Sequence, residues 1–96
     1  MNLFETEHAQ LAQHLAGKFS GVYRPENITV KVSAYFARVE ISEFGEDLWI
    51  NITNLTGTLT LRAAYKPRGT DEYRVLTRRK DQIEAAINKL IEGKKA

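Results

Sequence analysis

The sequence predicts one α+β domain over residues 1–96: a two-layer sandwich in which an antiparallel meander of about four strands carries two helices on one face. Three observations predict this α-β-β-β-β-α order. An apolar stripe with helical spacing opens the chain, a second one closes it, and apolar residues alternate with polar ones between them. Short connections make consecutive strands antiparallel neighbours, and two amphipathic helices need one apolar sheet face to cover. The other sheet face is expected to be open to solvent.

The first helix is predicted from about Leu3 to Phe19. Asn2 is a suitable N-cap, and Glu5 stands three residues after it, as in a capping box. The apolar stripe of this helix consists of Phe4, His8, Leu11, Leu15 and Phe19. These spacings of three and four residues place one continuous face against the sheet.

The segment Ile28–Ile41 is predicted to form one long edge strand. Its apolar residues occupy even positions up to Val32 and odd positions from Val39 onwards. Strict alternation cannot survive that change of phase, so a β-bulge or break is expected near Tyr35–Ala37. A long edge strand also makes a homodimer through strand pairing a reasonable hypothesis.

The second half of the chain supplies the remaining strands and the last helix. Residues 48–55 place Leu48, Ile50 and Ile52 on the inner face, and residues 58–65 do the same with Leu59, Leu61 and Ala63. A short strand is predicted at Tyr73–Leu76. Thr77 is expected to cap a helix over Arg78–Glu92 that Gly93 ends. Its buried stripe would consist of Ile83, Ala86, Ile87, Leu90 and Ile91.

Composition argues against several classes of protein. The chain has no cysteine, which excludes a disulfide framework and a thiolate metal site. Its first residues lack the basic and apolar regions of a signal peptide, and no apolar run approaches the roughly 18 residues of a membrane span. We therefore expect a cytoplasmic protein with no membrane partner.

No catalytic, metal or cofactor site is expected. The serines lack a nucleophile motif, and the six glycines are scattered singly rather than grouped in a phosphate-binding loop. His8 and His14 point to different sides of one helix, and His8 is expected at the edge of the core with a hydrogen bond. Four carboxylates near the first hairpin are interpreted as a solvated acidic turn: Glu40, Glu43, Glu46 and Asp47. An enzyme is therefore not predicted.

Charge and exposed aromatic residues suggest a binding surface instead. Residues 1–48 carry a net charge of −3 and residues 49–96 carry +5. The open sheet face is expected to present Trp49, Arg62 and Arg74, with Tyr35 as a second aromatic platform, and a turn adds Lys66 and Arg68. A further anion-binding group is predicted in the first turn of the last helix, where backbone N–H groups would join Arg78, Arg79 and Lys80.

Two functions fit these features. The first is a small regulatory protein, such as an inhibitor or adaptor of the kind encoded by mobile genetic elements (phage, anti-restriction or anti-CRISPR), which binds the acidic surface of a protein partner. The second is a nucleic-acid-binding module that uses the basic residues and the aromatic side chains. The modest net charge of +2 favours the protein partner. No motif in the chain identifies a family.

Overall fold

The computed structural model describes residues 2–95, with side chains as far as Lys94. Five antiparallel strands form one sheet in sequence order, and two α-helices pack on one of its faces. The predicted α+β class is confirmed, with one strand more than the expected four. The elements are α1 (Glu7–Lys18), β1 (Ile28–Val32), β2 (Phe36–Glu43), β3 (Glu46–Thr53), β4 (Thr60–Lys66), β5 (Arg74–Thr77) and α2 (Ile83–Lys95).

The fifth strand arises because the predicted long strand is divided by a tight turn. The Ser33 N–H donates to the Phe36 carbonyl at 2.8 Å, and Val32 pairs with Ala37. The chain therefore reverses, which explains the change of phase in the sequence. Strand β2 lies inside the sheet and the edges are β1 and β5. The prediction of one long edge strand over Ile28–Ile41 was wrong, because the edge on this side is the shorter β1 alone. A homodimer through that edge stays a prediction.

The N-terminal helix is shorter than predicted. Asn2 caps a 3₁₀ turn, and the α-helix begins only after Thr6, whose Oγ1 accepts from the Ala9 N–H at 3.3 Å. Thr6 has the extended backbone typical of an N-cap, which interrupts the helical run. Phe4 consequently lies outside α1 and is 52 % exposed, contrary to its predicted place in the stripe.

His8 is buried and connects α1 to two loops. Its Nε2–H donates to the Ser33 carbonyl at 2.8 Å, while the Asn54 side-chain amide donates to Nδ1 at 3.4 Å. The expectation of a hydrogen-bonded histidine at the edge of the core is confirmed. The N-terminal helix is thus fixed to the β1–β2 turn and to the end of β3.

The core lies between the helices and the inner sheet face. Of the residues predicted to point inward from the two central strands, five are buried, and they include the cross-strand pairs Ile50–Ala63 and Ile52–Leu61. The sixth, Leu59, precedes β4 and is only partly buried. Ile83 and Ile87 of α2 are buried against these strand residues and complete the core on the helix side. Each large aliphatic side chain contributes about 1.5–3 kcal/mol on burial, so this layer dominates the stability of the fold.

The last helix begins later and ends later than predicted. Thr77 is the final residue of β5, paired with Ala63, and its Oγ1 accepts from the Arg79 N–H at 3.0 Å. A 3₁₀ turn over Lys80–Gln82 then leads into α2. The chain must cross from the sheet layer to the helix layer before Ile83 can reach the core. Gly93 is inside α2 and does not end it.

A buried polar cluster joins three parts of the chain. Glu46, only 6 % exposed, accepts hydrogen bonds from the Tyr23 hydroxyl and, at 2.6 Å, from Lys94 Nζ. Burial raises the pKa of Tyr23 far above its usual range, and the bond to Glu46 acts in the same direction. The prediction that Glu46 belongs to a solvated acidic turn was wrong, because alternation along β3 turns its side chain towards the helices.

We expect Tyr23→Phe to destabilise the protein by about 1–3 kcal/mol, because the buried Glu46 carboxylate loses a donor and gains no other. Urea unfolding followed by circular dichroism measures this change. Tyr35→Phe is the matched control, since Tyr35 is 61 % exposed. Equal unfolding midpoints for Tyr23→Phe and the wild type would show that the Tyr23 hydroxyl is dispensable.

Candidate interaction surface on the open sheet face

The outer sheet face carries two rows of side chains that run across the strands. In one row Arg38 pairs with Asn51, and Asn51 pairs with Arg62. In the other, the cross-strand pairs run in order through Glu40, Trp49, Ala64 and Val75. Directly paired residues present their side chains to the same face, so the two rows form one continuous surface.

Trp49 is the centre of this surface. The guanidinium carbon of Arg38 lies 5.1 Å from the centroid of the indole ring, and that of Arg62 lies 5.8 Å away. Both distances are within the range of cation–π attraction. The Tyr73 ring is tilted against the indole with centroids 6.4 Å apart. We call Trp49, Arg38, Arg62 and Tyr73 the tryptophan cluster.

Arg38 is held in place by its neighbours. Its Nε donates to Glu40 Oε1 at 2.7 Å and its Nη1 donates to Asn51 Oδ1 at 2.8 Å. Lys31 also approaches the Glu40 carboxylate, at 3.3 Å. Burial acts to raise the pKa of Glu40, but the bonds from Lys31 and Arg38 outweigh it and hold this pKa below its usual range. The cluster is therefore ordered before any partner binds.

The apolar part of the surface extends towards β5. Ala64 is buried between Trp49 and Val75, while Val75 and Tyr73 are about half exposed. The β-bulge between β4 and β5 sets this arrangement by bringing Val75 opposite Ala64. An apolar centre of tryptophan, tyrosine and valine with arginines at its border is the anatomy of a protein–protein contact.

Of the nine predicted site residues, the tryptophan cluster contains only Trp49 and Arg62. Arg74 was expected on the same face, but it pairs with Tyr65, which in turn pairs with Leu48. Its side chain therefore belongs to the face that carries the helices. The bulge explains the error, because it shifts the alternation of β5 relative to β4.

Three further predicted site residues lie outside the tryptophan cluster: Tyr35, Lys66 and Arg68. Tyr35 is in the β1–β2 turn, where its carbonyl accepts from the Asn54 N–H at 2.8 Å. Lys66 Nζ donates hydrogen bonds to two carbonyls, that of Gly45 at 2.8 Å and that of Thr70 at 3.2 Å. Lys66 therefore ties two loops together, and Arg68 lies over the ring of Phe44 in one of them.

The predicted anion site at a helix N-terminus does not form. Arg78 and Arg79 precede the 3₁₀ turn, and Lys80 is its first residue, so all three lie ahead of the α-helix that starts at Ile83. Arg79 pairs instead with Asp81 at 3.1 Å, and both side chains are about two-thirds exposed. Arg78 and Arg79 thus lie outside the helical run, and only Lys80 belongs to its first turn.

Two members of the cluster were missed by the sequence analysis. Arg38 lies within the segment taken as one long strand, so its position across from Asn51 followed only from the β2–β3 register. Tyr73 precedes β5 and approaches Trp49 only because the β4–β5 loop returns to the sheet. The sequence did contain one indication: Arg38 and Glu40 are two residues apart in one strand, so their side chains point to the same face.

The acidic residues near the first hairpin do not form a cluster. Glu40 and Asp47 lie on the outer face, beside Arg38 and Lys66, whereas Glu43 and Glu46 pair on the inner face. Across residues 2–95 there is no group of three or more histidine, aspartate or glutamate side chains suited to a metal ion. In the same range, no helix has the length and apolar character to cross a membrane.

Comparison with known proteins gives no further information. The chain matches no protein-family model, no curated protein and no solved structure.

The free energy of unfolding is expected to fall as the pH is lowered below 4.5, the ordinary pKa of a glutamate. The reason is that the Glu40 carboxylate takes up a proton less readily in the folded protein than in the unfolded chain. The stabilisation is present above that pH and is lost as the pH falls through the lower pKa of the folded state. Urea midpoints measured between pH 3 and 7 test this, and Glu40→Gln should reduce the dependence. Glu26→Gln controls for the loss of one carboxylate, and an equal effect of both variants would contradict the prediction.

Proposed function

We propose that this protein is a non-enzymatic regulatory or interaction protein, of the inhibitor or adaptor type, that binds a protein partner through the tryptophan cluster. The partner would present a carboxylate opposite Arg62. The cytoplasmic location expected from the sequence stays part of this proposal, as does an origin in a mobile genetic element.

The observation that carries the proposal is the arrangement around Trp49. A tryptophan between two arginines, beside a half-exposed tyrosine and valine, stands on a sheet face over which the structure places no helix in residues 2–95. Tryptophan, tyrosine and arginine are the residues that most often dominate binding energy at interfaces. The bonds of Arg38 to Glu40 and Asn51 supply preorganisation, which lowers the entropic cost of association.

The same geometry favours a protein over a nucleic acid. A stacking platform offers an open ring to a base, whereas the indole of Trp49 is flanked by both guanidinium groups. The cations of the outer face are also partly neutralised, Arg38 by Glu40 and Lys66 by Asp47. A surface with mixed charge and an apolar centre suits a folded protein better than a phosphate backbone.

The test begins with selection of binders from a displayed library of folded protein fragments on the immobilised protein. Calorimetry of the recovered fragments is expected to show that Trp49→Ala weakens binding about thirtyfold or more, the loss of a hot-spot side chain. Arg62→Gln is expected to weaken binding less. Arg79→Gln, which removes the same charge beyond the end of β5, is the matched control and should leave the affinity unchanged.

Binders indifferent to Trp49→Ala would refute the role of the tryptophan cluster. The nucleic-acid alternative is tested with the same proteins, by fluorescence anisotropy of labelled single- and double-stranded oligonucleotides at two salt concentrations. Binding that falls steeply with salt and requires Trp49 would replace the protein-partner proposal, because phosphate contacts release counterions. No oligonucleotide binding at low salt is the expected result.

A further inference from the structure

The tip of the β2–β3 hairpin has an unusual residue at its most constrained position. Glu43 pairs with Glu46, so the loop consists of Phe44 and Gly45 alone, with φ of 51° and 83°. Among the residues that the structure describes, Phe44 is the one residue other than glycine with a positive φ. Such two-residue turns favour asparagine, aspartate or glycine at the first position, and a bulky aromatic residue is disfavoured there.

Burial does not compensate for this unfavourable backbone. The Phe44 side chain is 65 % exposed at the end of the sheet. Its ring lies between two cations that come from different segments. The guanidinium carbons of Arg24 and Arg68 are 5.7 Å and 5.5 Å from the ring centroid. An exposed aromatic ring between two arginines is a residue combination typical of an interaction anchor.

The backbone around this ring is held firmly. The Glu43 carboxylate accepts from the Arg24 N–H and from the Asn27 side chain, both at 2.9 Å. Lys66 Nζ holds the Gly45 carbonyl on the other side of the turn at 2.8 Å. The hairpin tip is therefore a preformed feature of the surface, whose shape does not depend on a partner.

The two guanidinium groups are available to a partner's anions. Within residues 2–95 no carboxylate lies within ion-pair distance of either Arg24 or Arg68. The nearby carboxylates are engaged elsewhere, since Glu43 binds backbone and amide donors and Glu46 binds Lys94. Charge complementarity at this end of the molecule thus favours a partner whose contacting surface carries carboxylates.

We propose that Phe44, Arg24 and Arg68 form a second contact surface, the hairpin-tip surface, which inserts the Phe44 ring into an apolar pocket of a protein partner whose rim carries carboxylates. The unfavourable backbone at Phe44 is kept because the ring binds, a pattern typical of functional sites. This inference goes beyond the tryptophan cluster, and none of its residues belongs to that cluster.

Carboxymethyl-β-cyclodextrin is a suitable probe, because its cavity admits a phenyl ring and its rim carries carboxylates. In a titration followed by ¹H–¹⁵N NMR, we expect saturable shifts at residues 43–46, 24 and 68. Neutral β-cyclodextrin should bind there about threefold or more weakly, since the ion pairs are lost. Phe4, 52 % exposed at the other end of the molecule, is the internal control and should bind both forms alike.

Phe44→Asn is the decisive variant, because asparagine is well suited to this backbone conformation. It should abolish the shifts at the hairpin tip while the melting temperature does not fall. Arg68→Gln should remove much of the preference for the carboxylated probe. A melting temperature lowered by several degrees in Phe44→Asn would mean that the ring is structural, and equal binding of both cyclodextrins at Phe44 would also overturn the proposal.

Two further measurements keep this proposal separate from the first. Trp49→Ala should leave probe binding at the hairpin tip unchanged, so failure of the sheet-face proposal would not affect this one. Shifts confined to Trp49 and Tyr73 would overturn it instead. An oligonucleotide that displaces the probe from Phe44 with a steep dependence on salt would assign the surface to nucleic acid rather than protein.

Discussion

The register of the β2–β3 hairpin is the constraint on which the rest of the structure depends. The two-residue loop at Phe44–Gly45 pairs Ile41 with Leu48 and Glu40 with Trp49. Because strand side chains alternate, a slip of one residue would turn Trp49 towards the helices and Leu48 towards solvent. The same turn therefore defines both the core and the outer surface, and the flanking strands inherit their faces from it through cross-strand pairing. The turn at Phe44, whose backbone conformation is unfavourable for a bulky residue, thus determines which side chains face the core and which face solvent.

Charge is distributed by topology rather than by position along the chain. The acidic first half and the basic second half, so distinct in the sequence, interleave in the fold: Glu46 of β3 meets Lys94 of α2, and Asp47 of β3 meets Lys66 of β4. In the helical layer, His14 and Lys18 of α1 meet Glu84 of α2, and their hydrogen bonds hold the pKa of Glu84 below its usual range. Among the residues that the structure describes, Arg24 and Arg68 at the hairpin tip have no carboxylate within ion-pair distance, and this local feature is more informative about partners than the difference between halves.

The parts of the fold that followed from the sequence are those governed by local periodicity. Alternation placed Leu48, Ile50 and Ile52 inward, and the helical spacing of Ile83 and Ile87 placed α2 on the core. The change of phase indicated a bulge or break near Tyr35–Ala37 but not a reversal of the chain, because the central residues of the β1–β2 turn, Ala34 and Tyr35, are not the glycine, asparagine or proline that usually indicate a turn. The tryptophan cluster was only half predicted for a different reason: cross-strand neighbours depend on register, and the bulge within the β4–β5 pairing reverses the face of Arg74.

The position of His8 has a consequence for the order in which the molecule assembles. Every strand pairs with its neighbour in sequence, so the sheet can grow through local hairpins with short loop closures. His8, in contrast, contacts Ser33 and Asn54, which are 25 and 46 residues away. Docking of α1 closes these long loops and depends on hairpin ends that are already in place. We therefore expect α1 to dock only after the strands have paired, so that its amides can exchange with solvent through a local opening while the central strands stay protected until global unfolding.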